Sequence, residues 1–440
     1  MKIHLAALAC ASLLCVPGCW TGPVLPDDFG QCPVTDEPPA ESPVDAPTYY
    51  RDVLPILQEA CTSCHTDGGI APFSLDTYES AVSWGPLAVS AIQSGEMPPW
   101  PPSTCCAPLL HPRELDEESL ALIETWLAND APEGDPNDAP APPDPGGLSR
   151  VDLEIQMPEA YTPSATIGPS DDQRCFLLDW TIEDETFVTG LEVVPGRREL
   201  VHHAIVYAIP EAQVGIYRAF DNADDGPGWG CPGGIVQSAD AYIGGWVPGG
   251  AVHDYPAGLG RKVKRNSAVL ISVHYEISAG PAPDQTSVRF KFDDSVETEV
   301  EGLAVMDATW LVGRQMLIPA GETDVVHKYA YDPSAWFNLG QSMKIHNVSL
   351  HMHEYGTRAS LAIFRKNGDV DCLLHIDEWD FAWQGEYFLE QPVTVNYGDK
   401  VFVECHFDNG PDNQIGDEQP RDLWWGDDKE MCIGSLMVSR

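Results

Sequence analysis

The chain has 440 residues, 43% of them hydrophobic and 9% aromatic, which is enough for two or three folded domains. Lys and Arg number 24 against 68 Asp and Glu, a formal net charge of −44. A surface of that sign repels nucleic acid and anionic lipid surfaces, which argues against partners of either kind.

Residues 1–19 carry one early Lys, a short apolar run and then Val16-Pro17-Gly18-Cys19. The run is too short to span a bilayer and reads as an export signal. A small residue before a Cys looks like a bacterial lipoprotein cleavage site, with Cys19 as the lipidated residue; plain cleavage nearby is the rival reading. Either way an exported bacterial protein is expected, periplasmic or held at the outer membrane by a lipid anchor, in a setting where disulfides persist. There are 13 cysteines. On the lipoprotein reading Cys10 and Cys15 leave with the signal and Cys19 carries the lipid; with Cys61 and Cys64 in a separate motif, an even eight remain.

Residues 20–47 are a polar, Pro-rich tether, and residues 48–131 read as helical. "YYRDVLPILQEAC" spaces its apolar residues at helical intervals, and "DEESLALIETWLAND" opens with acidic residues. Between them "ACTSCHTDGG" supplies Cys61-x-x-Cys64-His65. That spacing lets two thiols add to haem vinyl groups while the adjacent His reaches the iron. A structural zinc site would need a second ligand pair nearby, and a redox CxxC would want a βαβ context. Met97, in "SGEMPPWPP", is the expected second axial ligand of a covalently bound haem c. Residues 48–131 resemble a small cytochrome c domain, with Met97 at that family's axial-Met position; Cys105 and Cys106 are not part of its pattern.

Residues 132–150 form an acidic, Pro-rich linker. From 151 onward short runs rich in Val, Ile, Thr and aromatics, such as "SAVLISVHYEI" and "DKVFVECHF", alternate with turn residues, which predicts two β-sandwiches over 151–297 and 298–440. No fixed-period repeat is present. The histidines here are unevenly placed: His202-His203, His274, then His351-x-His353. On a strand, His-x-His puts both imidazoles on one face, about 7 Å apart along the backbone. An adjacent pair such as His202-His203 can serve one metal only if the strand bulges or ends there. Imidazole sets suit copper or zinc, and spacing alone does not choose between them.

Residues 170–440 resemble the copper type II, ascorbate-dependent monooxygenases through "VHHAIVY", "SVHYEIS", "LHMHEYG", "VNYGDKVFVECHF" and "DDKEMCIG", in that order. The resemblance implies one copper on His202, His203 and His274, and a second, oxygen-binding copper on His351, His353 and Met431. It also implies disulfides Cys175–Cys231 and Cys405–Cys432, and two jelly-roll-like β domains facing each other across a solvent-filled cleft. The whole expected fold is thus a small all-α cytochrome c-like domain followed by two all-β jelly-roll-like sandwich domains. The implied activity is hydroxylation of a C–H bond in a small organic substrate by O2, with two copper ions and a reductant, either ascorbate or a redox protein. The haem is expected to relay electrons to the coppers.

Two departures bear on substrate. Peptide-amidating relatives carry an Arg two residues before the His-x-His, where this chain has Ser349, and an Asn and a Tyr after the Met, where it has Ile433 and Ser435. A peptide ending in Gly therefore fits poorly. The competing readings are a haem and copper electron-transfer protein that oxygenates nothing, and a copper-storage module. His111, His253, His327, His346, His375 and His406 are read as surface or supporting groups. The partners of Cys32, Cys105, Cys106 and Cys372 are left open.

Overall fold

The computed structural model describes residues 22–33, 41–67, 69, 71–99, 102–110, 112, 115–141, 147–166, 170–178, 184–231, 241–247, 252–278, 280–311, 315–335, 341–415, 419–426 and 430–440. Cys19 lies outside them, as does His111. The helices are α1 (Leu54–Ala60), α2 (Tyr78–Gln93), α3 (Glu117–Ala128) and α4 (Glu211–Asp221). The strands of the first half are β1 (Leu153–Gln156), β2 (Asp171–Leu178), β3 (Thr186–Val194), β4 (Val201–Ile209), β5 (Trp229–Gly230), β6 (Tyr242–Trp246), β7 (His253–Asp254), β8 (Leu259–Val263), β9 (Ala268–Glu276) and β10 (Ser287–Asp293). Those of the second are β11 (Thr298–Val305), β12 (Val325–Tyr331), β13 (Ser342–His351), β14 (Gly356–Phe364), β15 (Val370–Ile376), β16 (Glu386–Asn396), β17 (Lys400–Phe407) and β18 (Ile433–Ser439).

Three sheets result. The longest runs β1-β10-β3-β8-β11-β18-β13-β16, with β7 paired to β3. It is continuous through both halves because β8 and β11 pair in parallel, Leu259 opposite Thr298. The sheet β5-β2-β9-β4-β6 covers its first half, and β12-β17-β14-β15 covers its second. One core, with Phe176, Val206, Ile271, Tyr275 and Phe290, fills the first gap. Another, with Ile345, Val348, Leu361, Val403 and Phe407, fills the second. β9 shows why the sequence takes this form: it lies between β2 and β4 and is buried along nearly its whole length, so it reads as a largely apolar run broken by Ser272, His274 and the terminal Glu276.

The expectation of a small all-α cytochrome c-like domain followed by two jelly-roll-like sandwiches is corrected by this architecture. The described residues are 17% helical and 37% strand, and no separate all-α domain is evident among them. Helices do form where the sequence signals them: Thr77 and Ser80 make a capping box on α2, Asp116 caps α3, and Tyr49, Val53, Leu57, Ala81, Ile123 and Trp126 pack together. The chain between α2 and α3, however, belongs to the β region. Ser103 and Ala107 donate their N–H groups to the carbonyls of His375 and Cys372 on β15, and Leu110 donates to Phe388 on β16. Leu109 enters the second core. Cys106–Cys372 bonds this segment to β15, and Cys32–Cys105 fastens the Pro-rich N-terminal stretch to the segment in turn. Gly30, at φ +75°, lies so close to His375 that a Cβ there would overlap the ring. Helical periodicity reports the helices and is blind to a turn that lends its main chain to two distant strands.

Two further disulfides, Cys175–Cys231 and Cys405–Cys432, bring the number among the described residues to four. This density fits a secreted or extracellular protein. No helix among the described residues is long and apolar enough to cross a membrane.

Candidate metal centres

The antiparallel register of β4 and β9 shifts between Val201 and His203. His203 stands opposite His274, and His202 is the extra residue of the bulge. The bulge cancels the normal alternation, so both neighbouring rings swing toward His274. The Nδ1 atoms of His202 and His203 are 3.2 Å apart, and ring centroids within the trio lie 4.8–5.4 Å from one another. One ligand atom from each of the three falls within 4.8 Å of the others. His274 Nε2–H donates to Asp171 Oδ1 at 3.1 Å, while His274 Nδ1 is buried with no hydrogen-bond partner. A buried lone pair without a donor, on a ring beside two other imidazoles, is what a metal ligand needs, and the carboxylate bonded to the other nitrogen fixes the tautomer. Burial, followed by the His274 charge, lowers the His202 pKa to about 4 and that of His203 well below its ordinary value. Both rings are therefore neutral at pH 7, the state that binds metal.

The second candidate centre lies at the end of β13. Met352 points into the core, so His351 and His353 share the opposite face, with ring centroids 5.0 Å apart. His351 Nδ1–H donates to Gln384 Oε1 at 2.6 Å, which leaves Nε2 as its free ligand atom. Trp379 Nε1–H donates to the His353 carbonyl at 3.1 Å. Glu430 fastens the remaining piece. Its carboxylate accepts the N–H groups of His353 at 2.9 Å, Tyr355 at 2.7 Å and Met431 at 3.1 Å, with His353 and Met431 on the same oxygen. Met431 is thus held against the His-x-His turn, and Cys432 pins the same loop to β17 through Cys405. Burial pushes the Glu430 carboxyl up to about 8, against the pull of its three N–H donors.

The two clusters face each other. The Phe381 ring centroid lies 6.4 Å from His203, 6.3 Å from His274 and 5.8 Å from His353. Of the motif residues in the helical part, Cys61 and Cys64 are free thiols. His65 Nδ1–H donates to the Phe73 carbonyl at 3.0 Å, leaving Nε2 available. Met97 lies just beyond α2 with its N–H on the Ala91 carbonyl, and no described hydrogen bond joins it to His65.

Residues 303–437 match the family model described as "Copper type II ascorbate-dependent monooxygenase, C-terminal domain". Over that span the chain is similar to that family. The matched span holds His351, His353, Met431 and the Cys405–Cys432 bond. "MOXD1 homolog 2" of Drosophila melanogaster is 21% identical over 338 residues, 68% of this chain and 44% of that protein. "DBH-like monooxygenase protein 1" is 23% identical in Mus musculus, over 58% of this chain and 42% of that one, and 22% identical in Homo sapiens, over 55% and 40%. The matches span less than half the length of these curated relatives. The family implies copper, and the donors fit: three imidazoles suit a copper that changes oxidation state, and two imidazoles with a thioether favour Cu(I).

Sequence reasoning did not find Asp171, Gln384, Glu430 or Phe381. Glu430, directly before Met431, was within reach, since an acid flanking a buried ligand loop must go somewhere. The others depend on pairings across strands. The remaining described histidines are held in local bonds. His327 bonds the Leu317 carbonyl, His346 bonds Ser439, His375 bonds Ser360, and His406 bonds Glu404 and Asp324. His253 reaches from β7 to within 3.4 Å of Glu386 at the start of β16.

Proposed function

We propose that the protein is a copper-dependent monooxygenase that hydroxylates a C–H bond of a small organic substrate. R–H and O2, with two electrons and two protons, give R–OH and water, so a reductant is required: ascorbate or a redox protein. The observation that carries this reading is the apposition of a three-histidine cluster and a His-x-His cluster backed by Met431, the latter inside the matched family span. Copper, when bound, supplies the one-electron steps and the activation of oxygen. His202, His203 and His274 would hold the electron-storing ion, with Asp171 fixing the His274 ring. His351, His353 and Met431 would hold the ion that meets oxygen, with Gln384 and Glu430 fixing them. Ser349 lies opposite Ser435, and His351 opposite Ile433, in the β13–β18 register, so the positions that differ from peptide-amidating relatives gather beside His351. Two hydroxyls and an alkyl chain offer no cation for a carboxylate, which disfavours a C-terminal peptide substrate.

The CTSCH segment extends the proposal to a covalent haem that relays electrons to the coppers, carried on helices stitched into the β region. The free thiols, the open His65 Nε2 and an apolar surface support it: Phe73 packs on His65 and stacks on Trp84, while Trp84 and Leu87 on α2 are 39% and 56% exposed. A porphyrin would cover such a face. Export, with Cys19 as a lipid anchor at a bacterial outer membrane, completes the reading and is checked by the mass of the mature N-terminus.

The deciding experiment counts metal. Two coppers per chain, falling to one in His202→Ala and separately to one in Met431→Ala, together with transfer of 18O from O2 to a product, are the expected results. Oxygen uptake with no hydroxylated product across a broad substrate panel would favour the electron-transfer reading. A haem absorbance lost in Cys61→Ala tests the relay group.

A further inference from the structure

"WDFAWQ", residues 379–384, is an aromatic stretch that the proposed chemistry leaves without a role, yet from one short turn it touches both centres. Trp379 bonds the His353 carbonyl, and Gln384 accepts from His351. Gln384 Nε2–H also donates back to the Phe381 carbonyl at 3.0 Å, which closes the turn. The Phe381 ring centroid then lies 6.4 Å from that of His203, 6.3 Å from that of His274 and 5.8 Å from that of His353, nearly edge-on to His203 at 88° and to His353 at 73°. It is a member of neither hydrophobic core. A large apolar ring that packs against imidazoles from both halves of the chain, and against no core, is a spacer.

We propose that Phe381 is a positioning residue that sets the separation and mutual orientation of the two metal centres, and that Gln384 ties this wedge to the His351 ring. The inference rests on the two-copper reading above. The ring gives imidazoles from both clusters one shared apolar neighbour. A distance fixed in this way is sensitive to the loss of a single ring, because misplacement by an ångström costs roughly 100-fold in a reaction that depends on alignment.

The test uses the full chain as wild type, Phe381→Ala and Phe381→Leu. Each is loaded with Cu(II), desalted, counted for copper and examined by electron paramagnetic resonance for magnetic coupling between the two ions, with half-loaded protein as the uncoupled reference. Two ions per chain are expected in all three, with coupling in wild type that weakens or spreads over many distances in Phe381→Ala and returns toward wild type in Phe381→Leu, which restores bulk. In the same proteins, single-turnover oxidation of the reduced three-histidine centre is expected to slow by roughly 10- to 100-fold in Phe381→Ala. An ion lost in Phe381→Ala and regained in Phe381→Leu supports the wedge on the same criterion of bulk. Coupling identical in wild type and Phe381→Ala, at two ions per chain, overturns the wedge and leaves the copper reading intact. Fewer than two ions in wild type overturns the copper reading and the wedge together.

Discussion

Glu430 accepts the backbone N–H of His353 at 2.9 Å, so a buried carboxylate rather than a strand pairing joins the His-x-His turn to the loop that carries Met431. Glu430→Ala would leave three buried N–H groups without an acceptor, at a cost of about 1–3 kcal/mol each before relaxation. The expected outcome is a clear drop in melting temperature and loss of copper from this centre alone, with the three-histidine centre still loaded. Calorimetry and copper counting on the same sample check both.

Asp171 holds the ring of His274, a member of the other proposed centre, through a hydrogen bond. Asp171→Asn removes the carboxylate that orients the imidazole while keeping the size of the side chain. Copper affinity at the three-histidine centre is expected to fall by about 10- to 100-fold, the usual effect of removing such a support. Titration against a competing chelator measures it, and the Met431 centre serves as the internal control.

Acid stability should depend on Asp399. Burial pushes its carboxyl up, but the N–H groups of Asn396 and Lys366 and the Arg365 guanidinium, each at 2.9 Å, outweigh burial and leave it below its ordinary value. A depressed carboxyl contributes stability that is fully present above its unfolded pKa, about 3.9, and is lost as pH falls through the folded one. Unfolding free energy is therefore expected to decline below about pH 4, and Asp399→Asn to flatten that slope while lowering stability at neutral pH. Urea melts at several pH values in both proteins decide it.

The Cys106–Cys372 bond holds the segment between α2 and α3 against β15. Replacing both cysteines by Ser is expected to cost about 2–4 kcal/mol. The loss should be local at first: amide exchange at Ser103 and Ala107, which bond the β15 carbonyls, should accelerate before the second core responds. Hydrogen exchange read by mass spectrometry distinguishes this from uniform destabilisation.

Much of the molecule can be read from its residues because the information is local. Asp116, at the head of the acidic stretch "DEESLALIETWLAND", sits where α3 begins, and the largely apolar run of β9 marks a buried strand. The spacing of His351 and His353 puts them on one face of β13 because strand side chains alternate. Resemblance, not spacing, drew Met431 and the cysteines of two disulfides into the reading.

The sequence alone determined which side chains could bind metal, since ligand chemistry belongs to residue type. Tertiary structure decided how they meet. The bulge that turns His202 and His203 to one side is a property of register against β9, and the reach of Glu430, Gln384 and Phe381 depends on loops packed from elsewhere. The same holds for the helices: their periodicity is written in 48–131, but whether they form a domain of their own depends on where residues 102–110 find hydrogen-bond partners, and those lie on β15 and β16. Cross-strand and long-range partners are fixed by the free energy of the whole packed chain, and no window of neighbouring residues contains that.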